Sequence, residues 1–176
     1  TSGTTSQSKV VALCHRNLVS NLMDIASILD INEKDVFLSF LPVHHVFECT
    51  VGFLFSLYKG SKTVFCRGIR HIAEDLNKHQ ITFMACVPGI YEMMYVAIIK
   101  QLEKEGKLEA VKEKVNKYKD LPVSEKTQYF QEVKDVLGGH IRLLVSGAAA
   151  LDPNIEAKYR EMGLNLVQGY GLTETS

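Results

Sequence analysis

The feature that most restricts this chain is the regular exchange of two hydrophobic rhythms, a helical stripe and a short unbroken apolar run, along nearly its whole length. Asn17 to Leu29 places Leu18, Leu22, Ile25 and Leu29 on one helical face. Val36 to Leu41 reads as a strand stopped by Pro42, and a helix over about Phe47 to Tyr58 leads through Lys59-Gly60 to a strand from Thr63 to Cys66. Ile72 to Lys78 is a short helix, Thr82 to Val87 a strand again ended by proline, and a long helix starts near Gly89. Lys100 to Asp120 is the most charged part, yet Leu108, Val111, Val115 and Tyr118 keep helical spacing through it. Ser124 to Leu137 reads as a further helix, with Ser124 as N-cap and Gly138-Gly139 as its stop. A strand from Ile141 to Val145, a helix from Asp152 to Met162 with Pro153 in its first turn, and a last strand from Leu164 to Gln168 complete the series. Strands that alternate with helices predict an α/β fold with a mostly parallel sheet flanked by helices.

Composition narrows the class of partner. The chain has 176 residues, long enough to enclose one sizeable core, with 20 basic and 20 acidic side chains. No basic block marks it for nucleic acid. Cys14, Cys49, Cys66 and Cys86 are scattered without C-x-x-C spacing, which reads as reduced, buried thiols rather than a disulfide frame or zinc site. No signal peptide or 18-residue apolar run is present, so a cytoplasmic protein without a transmembrane segment is expected.

The first nine residues, Thr1-Ser2-Gly3-Thr4-Thr5-Ser6-Gln7-Ser8-Lys9, hold hydroxyls, a glycine and a lysine with nothing apolar to bury. Such a segment can hold phosphate: hydroxyls and N–H groups donate, glycine permits close approach, and lysine adds a compact charge. Each donor to an ionised oxygen is worth roughly 1.5–3 kcal/mol. On composition alone a solvated Ser/Thr loop is the simpler reading. A P-loop fails, because Ser8 stands where that loop needs glycine and Val10 where it needs a hydroxyl for Mg2+.

The other end of the chain decides between them. Gln168-Gly169-Tyr170-Gly171-Leu172-Thr173-Glu174-Thr175 follows the apolar run Leu164 to Val167, so it leaves a strand end, where open α/β sheets put their ligands. Tyr170 can stack on a purine, Thr173 can donate to a phosphate oxygen, and Glu174 offers the hard oxygen that Mg2+ takes beside ATP. As a lone octapeptide the stretch reads equally as a glycine-rich turn.

TSGTTSQSK, the later SGAAALD (Ser146 to Asp152) and GYGLTET (Gly169 to Thr175) together resemble the acyl-adenylate-forming, or AMP-binding, enzyme superfamily. Within it the chain is most similar to long-chain fatty-acid–CoA ligases, through LPVHHVFE (Leu41 to Glu48), VPGIYEMMY (Val87 to Tyr95) and LGGHIRLLVSGAAALDP (Leu137 to Pro153). The resemblance implies that Thr1, Ser2, Gly3, Thr4, Thr5, Ser6 and Lys9 belong to the loop that wraps the β- and γ-phosphates of ATP. The family pattern TSGTTGxPKG is broken at Ser6, Ser8 and Val10, which implies a stiffer or slower loop. Gly147, Ala148 and Ala149 match backbone lying along the adenine, Gly169, Tyr170 and Gly171 the turn that stacks on it, Thr173 a phosphate contact, and Glu174 the Mg2+ ligand. His45 matches a histidine bordering the acyl carboxylate, with an interior, structurally satisfied histidine as the alternative. A metal site at His44-His45 is disfavoured, since adjacent side chains diverge on any regular element.

The implied reaction joins a fatty acid, ATP and coenzyme A. A carboxylate oxygen attacks the α-phosphorus, giving acyl-AMP and pyrophosphate, and the coenzyme A thiol then displaces AMP. Lys9, Thr173, Glu174 and His45 would carry it, mainly by charge neutralisation and orientation. Each acyl methylene buried is worth roughly 0.8 kcal/mol. The stretches Val46 to Tyr58 and Met84 to Met94 could wall an acyl tunnel, although helical spacing favours ordinary core. The resemblance also implies a later aspartate, a hinge and a C-terminal domain bearing a catalytic lysine. The expectation is therefore that residues 1–176 form part of the large N-terminal AMP-binding domain, inactive alone and prone to self-association through exposed sheet edges. Peripheral membrane contact, transfer to a carrier-protein thiol, and a noncatalytic nucleotide- or acyl-binding module are the alternatives kept open.

Overall fold

The computed structural model describes residues 10–176, and the expectations for Thr1 to Lys9 lie outside the described residues. Five strands form one parallel sheet: β1 (Val36–Ser39), β2 (Lys62–Phe65), β3 (Phe83–Cys86), β4 (Leu143–Ser146) and β5 (Leu166–Gln168). Their spatial order is β2-β1-β3-β4-β5, with Phe37 beside Phe83, Met84 beside Leu144 and Val145 beside Val167. All four pairings are parallel, so each connection has to cross a face of the sheet.

Both faces are covered. On one lie α1 (His15–Ile28), a π-helix (Glu48–Leu54) and α2 (Phe55–Tyr58), packed through Leu22, Val51 and Phe55 on Phe37, Phe83, Ala85 and Val145. On the other lie α3 (Ile72–Lys78), α4 (Pro88–Lys104), α5 (Leu108–Lys117), α7 (Gln131–Val136) and α8 (Pro153–Glu161), packed on Leu38, Met84, Cys86, Leu144 and Leu166. Between α5 and α7 comes the short helix α6 (Val123–Lys126). Period-two alternation divides the strand residues between the two faces, which is why β3 is apolar throughout, and β4 up to its last residue, rather than alternating.

Buried polar groups pin the strand starts and α4. Asp35, 1% exposed, accepts from Thr82 Oγ1 at 2.7 Å and from the Asn32 N–H at 3.0 Å. Tyr91 lies against the Met84 and Val145 carbonyls, 2.9 and 3.0 Å from its hydroxyl, and Tyr159 donates to the Tyr91 carbonyl at 2.8 Å.

Most of the expected elements stand where the periodicity puts them, but two differ in kind. The helix over Phe47 to Tyr58 is π-wound over Glu48–Leu54. The single helix over Ser124 to Leu137 is three pieces, α6, a 3-10 turn (Thr127–Tyr129) and α7, with Pro122 rather than Ser124 at the N-cap. Tertiary contacts break it: Lys126 Nζ turns in to the Lys119 carbonyl at 2.9 Å, and Thr127 Oγ1 donates to the Gly163 carbonyl at 2.5 Å. The thiols are free as expected, but only Cys86 is buried, whereas Cys14 is exposed and Cys49 and Cys66 are half-buried. No helix among the described residues is long and apolar enough to cross a membrane.

The stop after α7 is steric as well as conformational. Gly138 has φ +82°, and a Cβ there would stand 2.7 Å from the Leu76 carbonyl oxygen. Gly138→Ala should therefore destabilise the fold by about 2–4 kcal/mol in urea unfolding, without altering far-UV helix content at low denaturant.

Candidate functional site

The strand order reverses between β1 and β3. The chain leaving β1 runs to the π-helix on one face, and the chain leaving β3 runs to α4 on the other. Divergent loops of this kind open a crevice at the C-terminal edge of a parallel sheet. The backbone continues the ladder one residue beyond the strands on this edge: Cys66 N–H donates to the Ser39 carbonyl at 2.8 Å, Gly147 N–H to Cys86 at 3.0 Å, and Gly169 N–H to Ser146 at 2.8 Å. The chain leaving β2, β4 and β5 is thereby held in register against the ends of β1, β3 and β4.

The loop after β4 begins at a buried glycine that only glycine can fill. A Cβ on Gly147 would lie 2.6 Å from Phe47 Cζ, so the missing side chain lets the Phe47 ring of the β1 loop rest on this backbone. Ala148 follows with φ +66°, a left-handed conformation that costs an alanine roughly 1–2 kcal/mol. Ala148 and Ala149 are exposed, and the loop is fastened again at Leu151, whose N–H donates to Gln168 Oε1 at 3.2 Å. Gln168 also donates to Glu156 Oε2 of α8 at 2.7 Å. Asp152 then caps α8, accepting from the Asn154 N–H at 2.8 Å.

After β5 the chain carries Gly169, Tyr170 and Gly171 into a 3-10 turn, Thr173–Thr175. Tyr170 is 93% exposed, an open aromatic face among the described residues. Thr175 Oγ1 accepts from the Leu172 N–H at 3.1 Å, Thr173 is half-buried and Glu174 exposed. The Ser176 carbonyl accepts from Asn21 Nδ2, which fastens the last turn of the chain to α1, its first described helix. Glu174 supplies one free-standing carboxylate, and no group of three or more His, Cys, Asp or Glu side chains forms a metal cage among the described residues. A single carboxylate completed by substrate phosphate oxygens is the usual way Mg2+ is held in nucleotide sites.

The loop after β1 holds the histidines in a turn, with His45 N–H on the Pro42 carbonyl at 2.9 Å and Cys49 N–H on the His45 carbonyl at 2.9 Å. Both histidines are exposed, so His45 is not an interior histidine. Their rings lie together, centroids 4.5 Å apart, because a turn does not impose the divergence of a regular element. The structure thus gathers Gly147, Ala148, Ala149, Gly169, Tyr170, Gly171, Thr173, Glu174 and His45 on the loops of one sheet edge, while Lys9 and the residues before it fall outside the described part. The two stretches considered as tunnel walls pack as core on opposite faces of the sheet, Val51 and Phe55 on one and Met84 and Met94 on the other.

Periodicity did not single out Ser39, Gln168 or Glu48 for a role. Glu48 is 0% exposed at the start of the π-helix, and Ser39 Oγ donates to its Oε1 at 2.6 Å. A Cβ on Gly52 would stand 2.3 Å from that oxygen, so the glycine leaves the space the carboxyl fills. Burial pushes the Glu48 carboxyl above its ordinary 4.5, with the Ser39 hydroxyl and the Leu41 backbone acting in the opposite direction. Burial likewise pushes the Cys86 thiol up to about 12, which leaves it a thiol rather than a nucleophilic thiolate.

A parallel α/β domain whose functional groups crowd the C-terminal strand ends is the architecture of a nucleotide- or acyl-binding enzyme domain. The chain belongs to the AMP-binding enzyme family, whose pattern it matches over residues 1–176. It is 32% identical over 198 residues to long chain acyl-CoA synthetase 3 of Arabidopsis thaliana, covering 99% of this chain and 29% of that protein. It is also 32% identical over 199 residues to long-chain-fatty-acid–CoA ligase 2 of Schizosaccharomyces pombe, covering 99% of this chain and 28% of that protein. The chain therefore spans under a third of these relatives. Among solved structures, the N-terminal domain of FACL13 from Mycobacterium tuberculosis superposes with a TM-score of 0.67 at 22% identity, covering 99% of this chain and 36% of that one, and shows the shared fold. A malonyl-CoA ligase in complex with methylmalonyl-CoA and AMP superposes with a TM-score of 0.66 at 26% identity, covering 99% of this chain and 32% of that one.

Two measurements test this geometry. Gly147→Ala should cost about 1–3 kcal/mol through the clash with Phe47, and a Phe47→Leu background should reduce that cost by at least about 0.5 kcal/mol in a double-mutant cycle. The second concerns Glu48. A carboxyl raised in the folded state contributes its stability in full below the unfolded value of 4.5 and loses it as pH rises through the folded value. The unfolding free energy of the wild type relative to Glu48→Gln should accordingly fall as pH is raised from 4.5 and then level off, whereas a difference flat in pH would contradict the burial argument.

Proposed function

We propose that the protein containing this chain is an ATP-dependent acid–thiol ligase that activates a long-chain fatty acid as acyl-AMP and passes the acyl group to coenzyme A. One observation carries the reading: the Gly169-to-Ser146 hydrogen bond starts the loop of left-handed Ala148 and the loop of exposed Tyr170 side by side, so that backbone and an aromatic face leave the same strand ends. That pairing suits a purine, and Thr173 and Glu174 follow within four residues to meet its phosphates. The kinship with long-chain acyl-CoA synthetases supports the acyl part.

In the first step a fatty carboxylate oxygen forms a bond to the α-phosphorus of ATP, and the bond to the bridging oxygen of pyrophosphate breaks. Two anions must meet, so positive charge and oriented donors carry the step. Lys9 and the Thr4 and Thr5 hydroxyls are assigned to the β- and γ-phosphates. Thr173 would donate to a phosphate oxygen, and Glu174 would hold Mg2+, which would supply charge neutralisation. His45 stands at the sheet edge where the acyl carboxylate would arrive. In the second step the thiol of coenzyme A attacks the acyl carbon and AMP leaves, with no covalent enzyme intermediate required.

The test uses the complete protein with ATP, palmitate and coenzyme A. Pyrophosphate, AMP and palmitoyl-CoA should appear in equal amounts. Tyr170→Ala should raise the KM for ATP about tenfold, as loss of one aromatic stack would. Glu174→Gln should lower kcat by about a hundredfold or more. Acyl-AMP that is passed only to a carrier-protein thiol would replace the acceptor, and ATP binding without pyrophosphate release would overturn the enzymatic reading.

A further inference from the structure

The Glu48 carboxyl is a strange group to place at this edge. It is fully buried, it sits in the most irregular helix of the domain, and its Oε2 has no hydrogen-bond partner among the described residues. A side chain kept only for packing would serve better as Leu, since a buried carboxyl with one satisfied oxygen costs stability.

Its connections lie on both sides of the histidine turn. Ser39, the last residue of β1, donates to Oε1 at 2.6 Å, and the Leu41 backbone, two residues further on, lies beside the same carboxyl. The carboxyl's own residue begins the π-helix, so Leu41 to Phe47 is a short span tied at both ends to one group. Inside that span His45 is held by its N–H on Pro42 and by the Cys49 N–H on its carbonyl, and Phe47 rests on Gly147. Gly52 contributes by absence, because any Cβ there would expel the carboxyl.

We propose that Glu48 is a positioning residue: by gripping the end of β1 through Ser39 it fixes the Leu41–Phe47 span, and so sets where His45 meets the acyl carboxylate and where Phe47 supports the Gly147 loop. The kinetic part of this inference rests on the ligase reading above; the structural part does not. Glu48 touches no substrate and acts only through the turn.

The experiment has two arms, both in the complete protein. In the first, the protein is labelled with 13C-histidine, and the His44 and His45 imidazole signals are assigned with His44→Gln and His45→Gln. Glu48→Ala and Ser39→Ala should shift those two signals, Glu48→Gln should restore them, and His79 and His140, which precede β3 and β4 at the opposite edge, should not move. In the second, fatty-acid-dependent pyrophosphate–ATP exchange should show the KM for fatty acid raised about fivefold or more in Glu48→Ala and Ser39→Ala, with the KM for ATP within about twofold. Ser39→Ala removes one hydroxyl only, so it carries the test if Glu48→Ala does not fold. Unmoved His44 and His45 signals, movement of all four histidines together, or equal changes in both KM values would overturn the proposal. A wild type without exchange would overturn the ligase reading and leave the histidine signals to decide the positioning role.

Discussion

Burial of both faces of the parallel sheet is the constraint from which the rest of the structure follows. Once α1 and the π-helix cover one face and α3, α4, α5, α7 and α8 the other, the strand interiors have no room for an unpaired polar group. In β1, β4 and β5 the polar side chain is the last of the strand, Ser39, Ser146 and Gln168, whereas the edge strand β2 carries Lys62 and Thr63 at its start. Chemistry is forced onto one edge by the same burial that stabilises the sheet. The three backbone bonds that extend the ladder past the strand ends then hold separate loops in register as though they were sheet.

Much of this fold was legible because its periods are unambiguous. α3 spans Ile72–Lys78 as the pattern predicts, Pro42 and Pro88 end the chain's first and third strand runs, and Asp152 with Pro153 opens α8 as a capping residue followed by a fixed φ should. What the pattern could not show was decided by contacts distant in sequence. Lys126 and Thr127 break the Ser124 helix because their partners are Lys119 and Gly163, and no local propensity contains Gly163. The π-winding of Glu48–Leu54 has the same origin: the spacing of Phe47, Val51 and Phe55 gives a helix, but the winding accommodates a carboxyl reaching Ser39 past Gly52.

The candidate site was legible as motifs and not as a site. Gln168 to Thr175 reads equally as a glycine-rich turn by itself, and nothing in it or in Gly147 to Ala149 says that Gly169 N–H meets the Ser146 carbonyl. Register across β4 and β5 makes them neighbours. The histidine turn was misjudged for a related reason. A rule for regular elements separates adjacent side chains, while the turn from Pro42 to His45 lets the two rings lie together and outward.

The energetics of the edge point the same way. Ala148 holds a positive φ that glycine would adopt freely, and it does so between two fixed points, the Gly147 N–H on Cys86 and the Leu151 N–H on Gln168. Glu48 keeps a buried carboxyl where an apolar side chain would cost less. Both are local penalties borne by a well-packed domain: Ala148 lies in the loop next to the one that carries Tyr170 and Glu174, and Glu48 opens the helix that follows the His45 turn. A ligand-binding edge needs its exposed groups held before the ligand arrives, since ordering them afterwards would be subtracted from affinity. Strain beneath exposed groups is what such preorganisation requires, and the exposed Gln80 at the opposite edge, also at positive φ, shows that strain alone does not mark a site.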